Sequence, residues 1–237
     1  MTKRRITIIG TGFIGASLGL TLQAVVGDEV EIIGHDKYPE ISQQAKQLGA
    51  VDRVSFNLDL ALQGAGIVII AVPLAEMRGV LVDMGRLLAP DAELIVTDTA
   101  PLKVPVLRWA DELLPPGARF VGGDLFLAPE KGETEWLRLQ GVEHARAELL
   151  EDAVYAITAR PDDDADAIKA VDNLARHAGA QVLYTTPLEH DVARLFTTAL
   201  PELAATALLQ TTTENPGWND IRQAAGYEYA AATAPAT

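Results

Sequence analysis

The sequence contains no cysteine and only four histidines among its 237 residues. Without cysteine, disulfide bonds and thiolate zinc sites are excluded. The histidines are scattered and lack the spacing of metal ligands, so we expect no bound metal. Basic residues are also few, since 19 Lys and Arg stand against 33 Asp and Glu. The net charge of −14 opposes attraction to nucleic acid and anionic lipid, so we expect neither nucleic acid nor a membrane as partner.

A long hydrophobic run is lacking at the amino terminus. The basic stretch Lys3-Arg4-Arg5 precedes an apolar segment that reaches Gly10 too soon for a signal-peptide core or a membrane span. We therefore expect a cytoplasmic protein whose basic stretch is a solvated lead-in to the first strand. The composition, 49% hydrophobic and 22% charged, is that of an ordinary globular protein.

Short β-branched apolar segments alternate with segments of helical periodicity along most of the chain. Such alternation predicts right-handed crossovers and an α/β fold with a doubly wound, mostly parallel sheet. The rhythm breaks between Asp124 and Leu150, which we expect to be a long loop, and it then resumes in the same sheet. The predicted strands are 6–9, 29–33, 66–71, 93–97, 119–121, 154–157 and 181–184, and the predicted helices are 13–26, 39–48, 74–88, 104–114 and 164–177.

A glycine motif, Gly10-Thr11-Gly12-Phe13-Ile14-Gly15, follows the first strand and opens the first helix. In this context the first glycine permits a tight turn and the second lets backbone N–H groups approach a pyrophosphate. The third glycine lets the helix and strand pack closely. The motif predicts a Rossmann dinucleotide site. Thr11, Phe13 and Ile14 are then loop and helix-start residues beneath the cofactor.

Asp36 stands at the end of the second strand, where a carboxylate can accept hydrogen bonds from the adenine ribose. The same carboxylate would repel a 2′-phosphate, which favours NAD over NADP, although the adjacent Lys37 weakens that preference. An alternative role for Asp36 is that of a turn residue or a helix cap before Pro39. The segment Ala71-Val72-Pro73 ends another strand at the same sheet edge, so we assign it to the cofactor crevice as well.

We divide the chain into a dinucleotide-binding Rossmann domain, residues 1–187, and a short all-helical unit, residues 188–237. The second unit contains a helical segment from Glu189 to Thr213 and an alanine-rich tail that we expect to fray. Its helical segment carries more apolar surface than a small terminal unit should expose, which predicts a homodimer. The residues concerned are Leu195, Phe196, Leu203, Leu208 and Leu209.

The order of short motifs resembles that of the prephenate dehydrogenase family over nearly the whole chain. The motifs are the glycine motif, Gly49-Ala50-Val51-Asp52, Ala71-Val72-Pro73-Leu74, Thr97-Asp98, Lys103, Gly122-Gly123, His190-Asp191, Leu200-Pro201 and Gly217-Trp218-Asn219-Asp220. The resemblance implies a Rossmann domain followed by a helical dimerisation domain, here short. It also implies NAD- or NADP-dependent oxidative decarboxylation of prephenate or arogenate, on the route to tyrosine.

The sequence departs from that family at the catalytic positions. The family's Gly-Gly-His-Pro motif is matched by Gly122-Gly123-Asp124-Leu125, so Asp124 occupies the position of the histidine. Pro101 occupies that of the assisting serine, and the arginine that holds a substrate carboxylate is displaced, with Arg222 as its nearest substitute. The resemblance makes Asp124, Asp98, Lys103 and Arg222 the candidate catalytic or substrate-binding residues.

Each of these residues has a structural alternative. Asp124 could be a loop residue or a helix cap, and an ionised carboxylate there would repel an anionic substrate. Asp98 could cap the following helix, Lys103 could be solvated, and His190 could be a structural histidine. His144 is expected at the surface, and the tryptophans Trp109, Trp136 and Trp218 are expected to pack.

Two functions remain open from the sequence. The first is an NAD-dependent oxidoreductase of the prephenate dehydrogenase type, acting on a small-molecule substrate. The second is an NAD(H)-binding relative that acts as a sensor or scaffold, with an altered substrate or little activity. The glycine motif suits both functions.

Overall fold

The computed structural model describes residues 4–127 and 141–236 and contains one sheet of eight strands. The spatial order is β3-β2-β1-β4-β5-β6-β7-β8, and every neighbouring pair is parallel except β6 and β7. The expected doubly wound, mostly parallel sheet is confirmed. The strands are β1 Arg4–Ile9, β2 Val30–His35, β3 Arg53–Val54, β4 Ile67–Ile70, β5 Leu94–Asp98, β6 Ala118–Phe126, β7 Val154–Thr158 and β8 Gln181–Thr185.

Helices connect the parallel strands and continue beyond the last one. The α-helices are α1 Phe13–Val26, α2 Pro39–Gln47, α3 Leu58–Leu62, α4 Leu74–Leu87, α5 Val104–Leu113, α6 Ala165–His177, α7 Pro187–Arg194, α8 Leu200–Thr213, α9 Trp218–Ile221 and α10 Tyr227–Thr233. The sequence pattern misses β3, α3, α9 and α10, because segments of two to seven residues are too short to show a period. Helix α10 also extends to Thr233, into the alanine-rich tail that we expected to fray.

Two hydrophobic cores lie on opposite faces of the sheet. Ile6 and Ile8 of β1 belong to the core beneath α1, whereas Ile9 belongs to the core beneath α4 and α5. Successive residues of a strand point to opposite faces, so a strand covered on both sides must be apolar throughout its buried length. The central strands carry such runs, and their carboxyl ends meet at one edge. The reversal of strand order at β1 and β4 opens a crevice there.

Strand β6 is longer than the sequence pattern predicts. Its first half pairs with β5 through Val121, and its second half, Gly122 to Phe126, pairs with β7 in the antiparallel sense. Asp124 to Phe126 therefore belong to β6 and not to the expected loop. Gly122 and Gly123 have low strand propensity, so the sequence pattern did not indicate a strand there. Tertiary packing favours glycine at both positions.

The helical part after β8 begins with a continuous helix, Pro187–Thr213, in which α7 and α8 are joined by a π-helical turn at Leu195–Ala199. Pro201 lacks the N–H that would bond to the preceding turn, which is a usual cause of such irregularity. Helix α7 contacts α5 and β7, while α8 contacts α10 and the 3-10 helix Ala234–Ala236.

The helix Pro187–Thr213 is long and apolar enough, by length and composition, to cross a membrane, and almost none of it is buried. Phe196 and Leu203 are among its most exposed apolar side chains. A helix that packs against another protein has the same properties. We based the expectation of no membrane partner on the net charge and on the amino terminus. Neither observation bears on this helix.

Candidate functional site

The glycine loop between β1 and α1 lies against the segment that follows β4. Gly10 adopts φ +87°, and a Cβ there would meet the carbonyl oxygen of Ala71 at 2.5 Å, so only glycine suits the turn. Ala71 is held in place because its N–H donates to the carbonyl of Ile9 at 2.7 Å. Gly15 faces the carbonyl of Gly10, which leaves no room for a side chain. The close approach of loop, helix and strand is the geometry expected of the motif.

The other side of the loop is open. A Cβ on Gly12 would have no neighbour within 4 Å, and this residue begins α1 without any side-chain cap on its backbone N–H groups. Phe13 and Ile14, in the first turn, are half-buried. The first N–H groups of a helix lack partners within it and form a favourable site for an anion such as a pyrophosphate.

Asp36 follows β2 at the same edge and is tied to the glycine loop. Its Oδ2 accepts a hydrogen bond from the N–H of Thr11 at 2.8 Å, and its Oδ1 accepts one from the N–H of Tyr38 at 3.0 Å. The bond from Tyr38 joins residues two positions apart, as in a turn. The alternative role of Asp36 as a turn residue is therefore partly correct. The helix-cap alternative is wrong, because Tyr38 is the N-cap of α2 and that helix has no side-chain cap.

Two further features line the crevice. Among the described residues, the buried hydroxyl oxygen of Thr11 has no hydrogen-bond partner. Val72 is half-buried beside Gly10, and Pro73 is the N-cap of α4. The cofactor residues predicted from the sequence thus come together at one sheet edge, around a loop with an open side.

A buried ion pair lies beside Gly123, the residue before Asp124. Lys103 and Asp98 have no exposed surface, and Nζ of Lys103 donates to Oδ2 of Asp98 and to the carbonyl of Gly123, each at 2.5 Å. The other oxygen of Asp98 accepts from the N–H of Gly123 at 3.0 Å. Burial raises the pKa of Asp98, and the charge of Lys103 opposes that rise. The solvated alternative for Lys103 is wrong.

The side chain of Tyr155 and the backbone of Asp98 explain the glycine at position 123. A Cβ there would meet the hydroxyl of Tyr155 and, at 2.7 Å, the carbonyl oxygen of Asp98. Burial raises the pKa of Tyr155 well above its ordinary value, and its hydroxyl donates to the carbonyl of Asp98. The network fixes β6 to β5 immediately before Asp124.

Helix α5 is capped by Asp191 of α7 and not by Asp98. The carboxylate of Asp191 accepts from the N–H of Lys103 at 2.6 Å and from the N–H of Val104 at 3.0 Å. Our alternative of Asp98 as the cap is therefore wrong, since its carboxylate is bound to Ala100, Lys103 and Gly123 instead. Asp191 thereby fixes α7 to the start of α5.

Asp124 lies within β6 and is only 1% exposed. Its Oδ2 accepts from Nε of Arg194 at 2.5 Å and lies 2.9 Å from Nε2 of His190. Its Oδ1 accepts from Nη2 of Arg194 at 2.7 Å and from the N–H of Leu125 at 2.7 Å. The loop and helix-cap alternatives for Asp124 are wrong, because both carboxylate oxygens are bound inside a strand.

Arg194 is the residue that sequence reasoning missed. It lies over the ring of Phe126, 4.1 Å from the ring centre, and also donates to the carbonyl of Leu125 at 2.6 Å. A positive charge beside Asp124 removes the repulsion that we expected between this carboxylate and an anionic substrate. The sequence held one signal, the spacing of four residues between His190 and Arg194, which places both on one face of α7.

His190 is fully buried between two carboxylates. Its Nδ1 lies 3.1 Å from Oδ1 of Asp191, and its Nε2 faces Asp124. The alternative of a structural histidine thus describes its contacts, and these contacts also place it against Asp124.

The remaining predicted residues lie elsewhere. Arg222 is exposed on the 3-10 helix Arg222–Ala224, and no contact within the described residues brings it to Asp124. Pro101 is exposed two residues before Lys103 and offers no hydroxyl. His144 is exposed, as expected, and Trp109 and Trp218 make packing contacts. Trp136 lies outside the described residues.

Comparison with known proteins agrees with this arrangement. Residues 18–184 match the family model described as prephenate dehydrogenase, nucleotide-binding domain. Prephenate dehydrogenase of Bacillus subtilis (strain 168) is 29% identical over 210 residues, which are 89% of this chain and 54% of that protein. Cyclohexadienyl dehydrogenase of Zymomonas mobilis is 26% identical over 206 residues, which are 87% of this chain and 66% of that protein. The chain thus spans about half of the first relative and just under two thirds of the second.

Solved structures show the same fold. Prephenate dehydrogenase from A. aeolicus, in complex with hydroxyphenyl propionate and NAD+, has a TM-score of 0.83 and 27% identity. The match covers 100% of this chain and 79% of that one. Arogenate dehydrogenase of Synechocystis has a TM-score of 0.79 at 23% identity, with 98% of this chain and 79% of that one covered. Family model, relatives and fold agree, and this chain belongs to the prephenate dehydrogenase family.

Proposed function

We propose that this chain is an NAD-dependent oxidoreductase that oxidises a cyclohexadienyl hydroxy acid such as prephenate or arogenate. The observation that carries the proposal is the joining of the open glycine loop to Asp36 through the N–H of Thr11. An oxidative decarboxylation of this kind belongs to the route to tyrosine, and we place the protein in the cytoplasm. The relatives' printed names support the substrate class.

The chain's own residues fit NAD(H). The open side of Gly12 leaves space where the N–H groups of α1 would hold a pyrophosphate. Asp36 keeps lone pairs for ribose hydroxyls after accepting its two backbone bonds. The unpartnered hydroxyl of Thr11 lies in the same loop. When bound, NAD+ supplies the hydride acceptor for the carbon that bears the substrate hydroxyl.

The proton of that hydroxyl must pass to the protein or to water. Asp124 stands at the position of the family's histidine, and His190 lies 2.9 Å from it. We propose that the Asp124–His190 pair receives the proton, and that Arg194 keeps Asp124 in place and compensates its charge. Asp98 and Lys103 are then positioning residues, because they bind each other and hold β6 at Gly123.

A second function is favoured by one observation at Asp124. Its two oxygens already accept from Arg194, the N–H of Leu125 and His190, and the residue is 1% exposed. A carboxylate with all its lone pairs occupied is a poor acceptor for a further hydroxyl. An NAD(H)-binding protein with slow turnover, acting as a sensor or scaffold, is therefore the alternative.

Formation of NADH with prephenate or arogenate, measured beside NADH binding by fluorescence, tests the two functions. The control is Gly12→Asp, since the side chain has space to fit the fold but places a negative charge at the expected pyrophosphate position. If the unaltered protein forms NADH and Gly12→Asp does not, the dehydrogenase is supported. If the unaltered protein binds NADH without forming it from either substrate, and Gly12→Asp does not bind NADH, the alternative is supported. Absence of NADH binding by the unaltered protein would contradict both.

A further inference from the structure

An exposed ion pair spans the two sides of the cofactor crevice. Nζ of Lys37, which follows Asp36 after β2, donates to Oε1 of Glu76 in the first turn of α4 at 2.7 Å. The ammonium also lies 5.0 Å from the centre of the Tyr38 ring. The bond to Glu76 raises the pKa of Lys37 above its ordinary value. Lys37 is thus directed toward the first turn of α4.

The position of Lys37 matters for the choice between the two nicotinamide cofactors. These differ by a phosphate on the adenine ribose, and that ribose is expected beside Asp36. A cation next to such a carboxylate can offset its repulsion of a 2′-phosphate. In this chain the cation is bound to a second carboxylate instead, on the opposite side of the crevice.

We propose that Glu76 is a cofactor-specificity residue that withholds Lys37 from a 2′-phosphate and so adds to the discrimination against NADP(H). This inference rests on the proposed binding of NAD(H). Two carboxylates, Asp36 and Glu76, then act together. Asp36 repels the phosphate directly, and Glu76 neutralises the cation that would attract it.

The test is the ratio of the NADPH and NADH dissociation constants at low ionic strength. In Glu76→Gln the ratio should fall about threefold to tenfold, because the freed ammonium is available to the phosphate. The control is Asp83→Asn, which removes another exposed carboxylate two turns farther along α4, 60% exposed against 46% for Glu76, and should leave the ratio unchanged. Adding Lys37→Met to Glu76→Gln should restore the original ratio.

Three results would overturn the inference. The ratio could stay constant in Glu76→Gln, it could fall equally in Asp83→Asn, or the fall could persist without Lys37. A constant ratio in Glu76→Gln shows that Glu76 does not withhold Lys37 from the 2′-phosphate. An equal fall in Asp83→Asn shows a general effect of net charge. A fall that persists without Lys37 assigns the effect to another group. If the unaltered protein binds neither cofactor, the proposed function fails together with this inference, whereas NADH binding with a constant ratio refutes this inference alone.

Discussion

Arg194 of α7 and Asp124 of β6 form a bidentate ion pair although they are 70 positions apart in sequence. The guanidinium nitrogens lie 2.5 and 2.7 Å from the two carboxylate oxygens, and the Asp124 side chain is 2% exposed. The pair connects α7 to β6. Because a bidentate pair fixes orientation as well as distance, it also determines where the Asp124 carboxylate points.

Removal of Arg194 should destabilise the fold. In Arg194→Met the Asp124 carboxylate stays buried with only His190 as a side-chain partner, and we expect a loss of about 2–4 kcal/mol in the free energy of unfolding. Urea denaturation measures it. The control Arg86→Met breaks an exposed pair with Asp83, 3.7 Å apart, and should give no measurable change. Equal effects of the two substitutions would show that the buried pair contributes nothing to the free energy of unfolding.

The Asp98–Lys103 pair predicts a pH dependence. Burial already raises the pKa of Asp98, and Lys103→Met removes the cation that opposes this rise. The folded variant then retains a proton that the unfolded chain releases, so stability should fall as pH rises above about 4, by up to about 1.4 kcal/mol per pH unit. Chemical denaturation between pH 4 and 8 measures the slope.

The variant Lys103→Met with Asp98→Asn isolates the cause. It lacks the buried carboxylate, so the added slope should vanish even though the cation is also absent. A slope that persists in the double variant would assign the dependence to another group.

Asp36 should determine the preference for NADH. We expect NADH to raise the melting temperature more than NADPH at equal concentration, because a ligand stabilises the state that binds it. Asp36→Ala should reduce the difference between the melting-temperature shifts that NADH and NADPH cause. Asp59→Ala on α3 is the control and should leave that difference unchanged. Stronger stabilisation of the unaltered protein by NADPH would contradict the assignment.

Restoring the family's catalytic side chains should raise any activity on prephenate. Asp124→His and Pro101→Ser supply the histidine and the serine, but Arg194 would then face an imidazole in place of its carboxylate. We therefore expect the largest gain when Arg194→Leu is added, within the factor of about 10²–10⁴ that a general base contributes. Initial rates of NADH formation measure it.

If activity stays absent while NADH binding is intact, the limitation lies in substrate binding. The exposed position of Arg222 would then be the first place to examine.

The exposed face of Pro187–Thr213 should mediate a homodimer. Phe196 is 62% and Leu203 64% exposed, and covering such side chains is favourable. Sedimentation should show a dimer at micromolar concentration, and Phe196→Glu should shift it to monomer. Leu60→Glu, at a 56% exposed apolar residue of α3, is the control. A monomer at high micromolar concentration, or association only with lipid vesicles, would reject the dimer.

The sequence alone determined the fold class, and it predicted where a dinucleotide would bind. Apolar runs such as Ile6–Ile9 specify strands buried on both faces, and helical periodicity between them leaves a doubly wound sheet as the consistent arrangement. The glycine motif and Asp36 follow strands directly, so the sheet edge brings them together. These signals are local, and each can be recognised within a few residues.

Only the tertiary structure decided the surroundings of the catalytic positions. Lys103 looks solvated in the sequence and is buried because Asp98 and Gly123 bind its ammonium. Asp124 looks like a loop residue and lies in a strand because β7 pairs with it, while its charge is compensated by Arg194. Such contacts join residues far apart in the chain, and a local pattern records neither partner's position. Burial and pairing of a charge are therefore properties of the packed fold, and the sequence supplies only the side chains that make them possible.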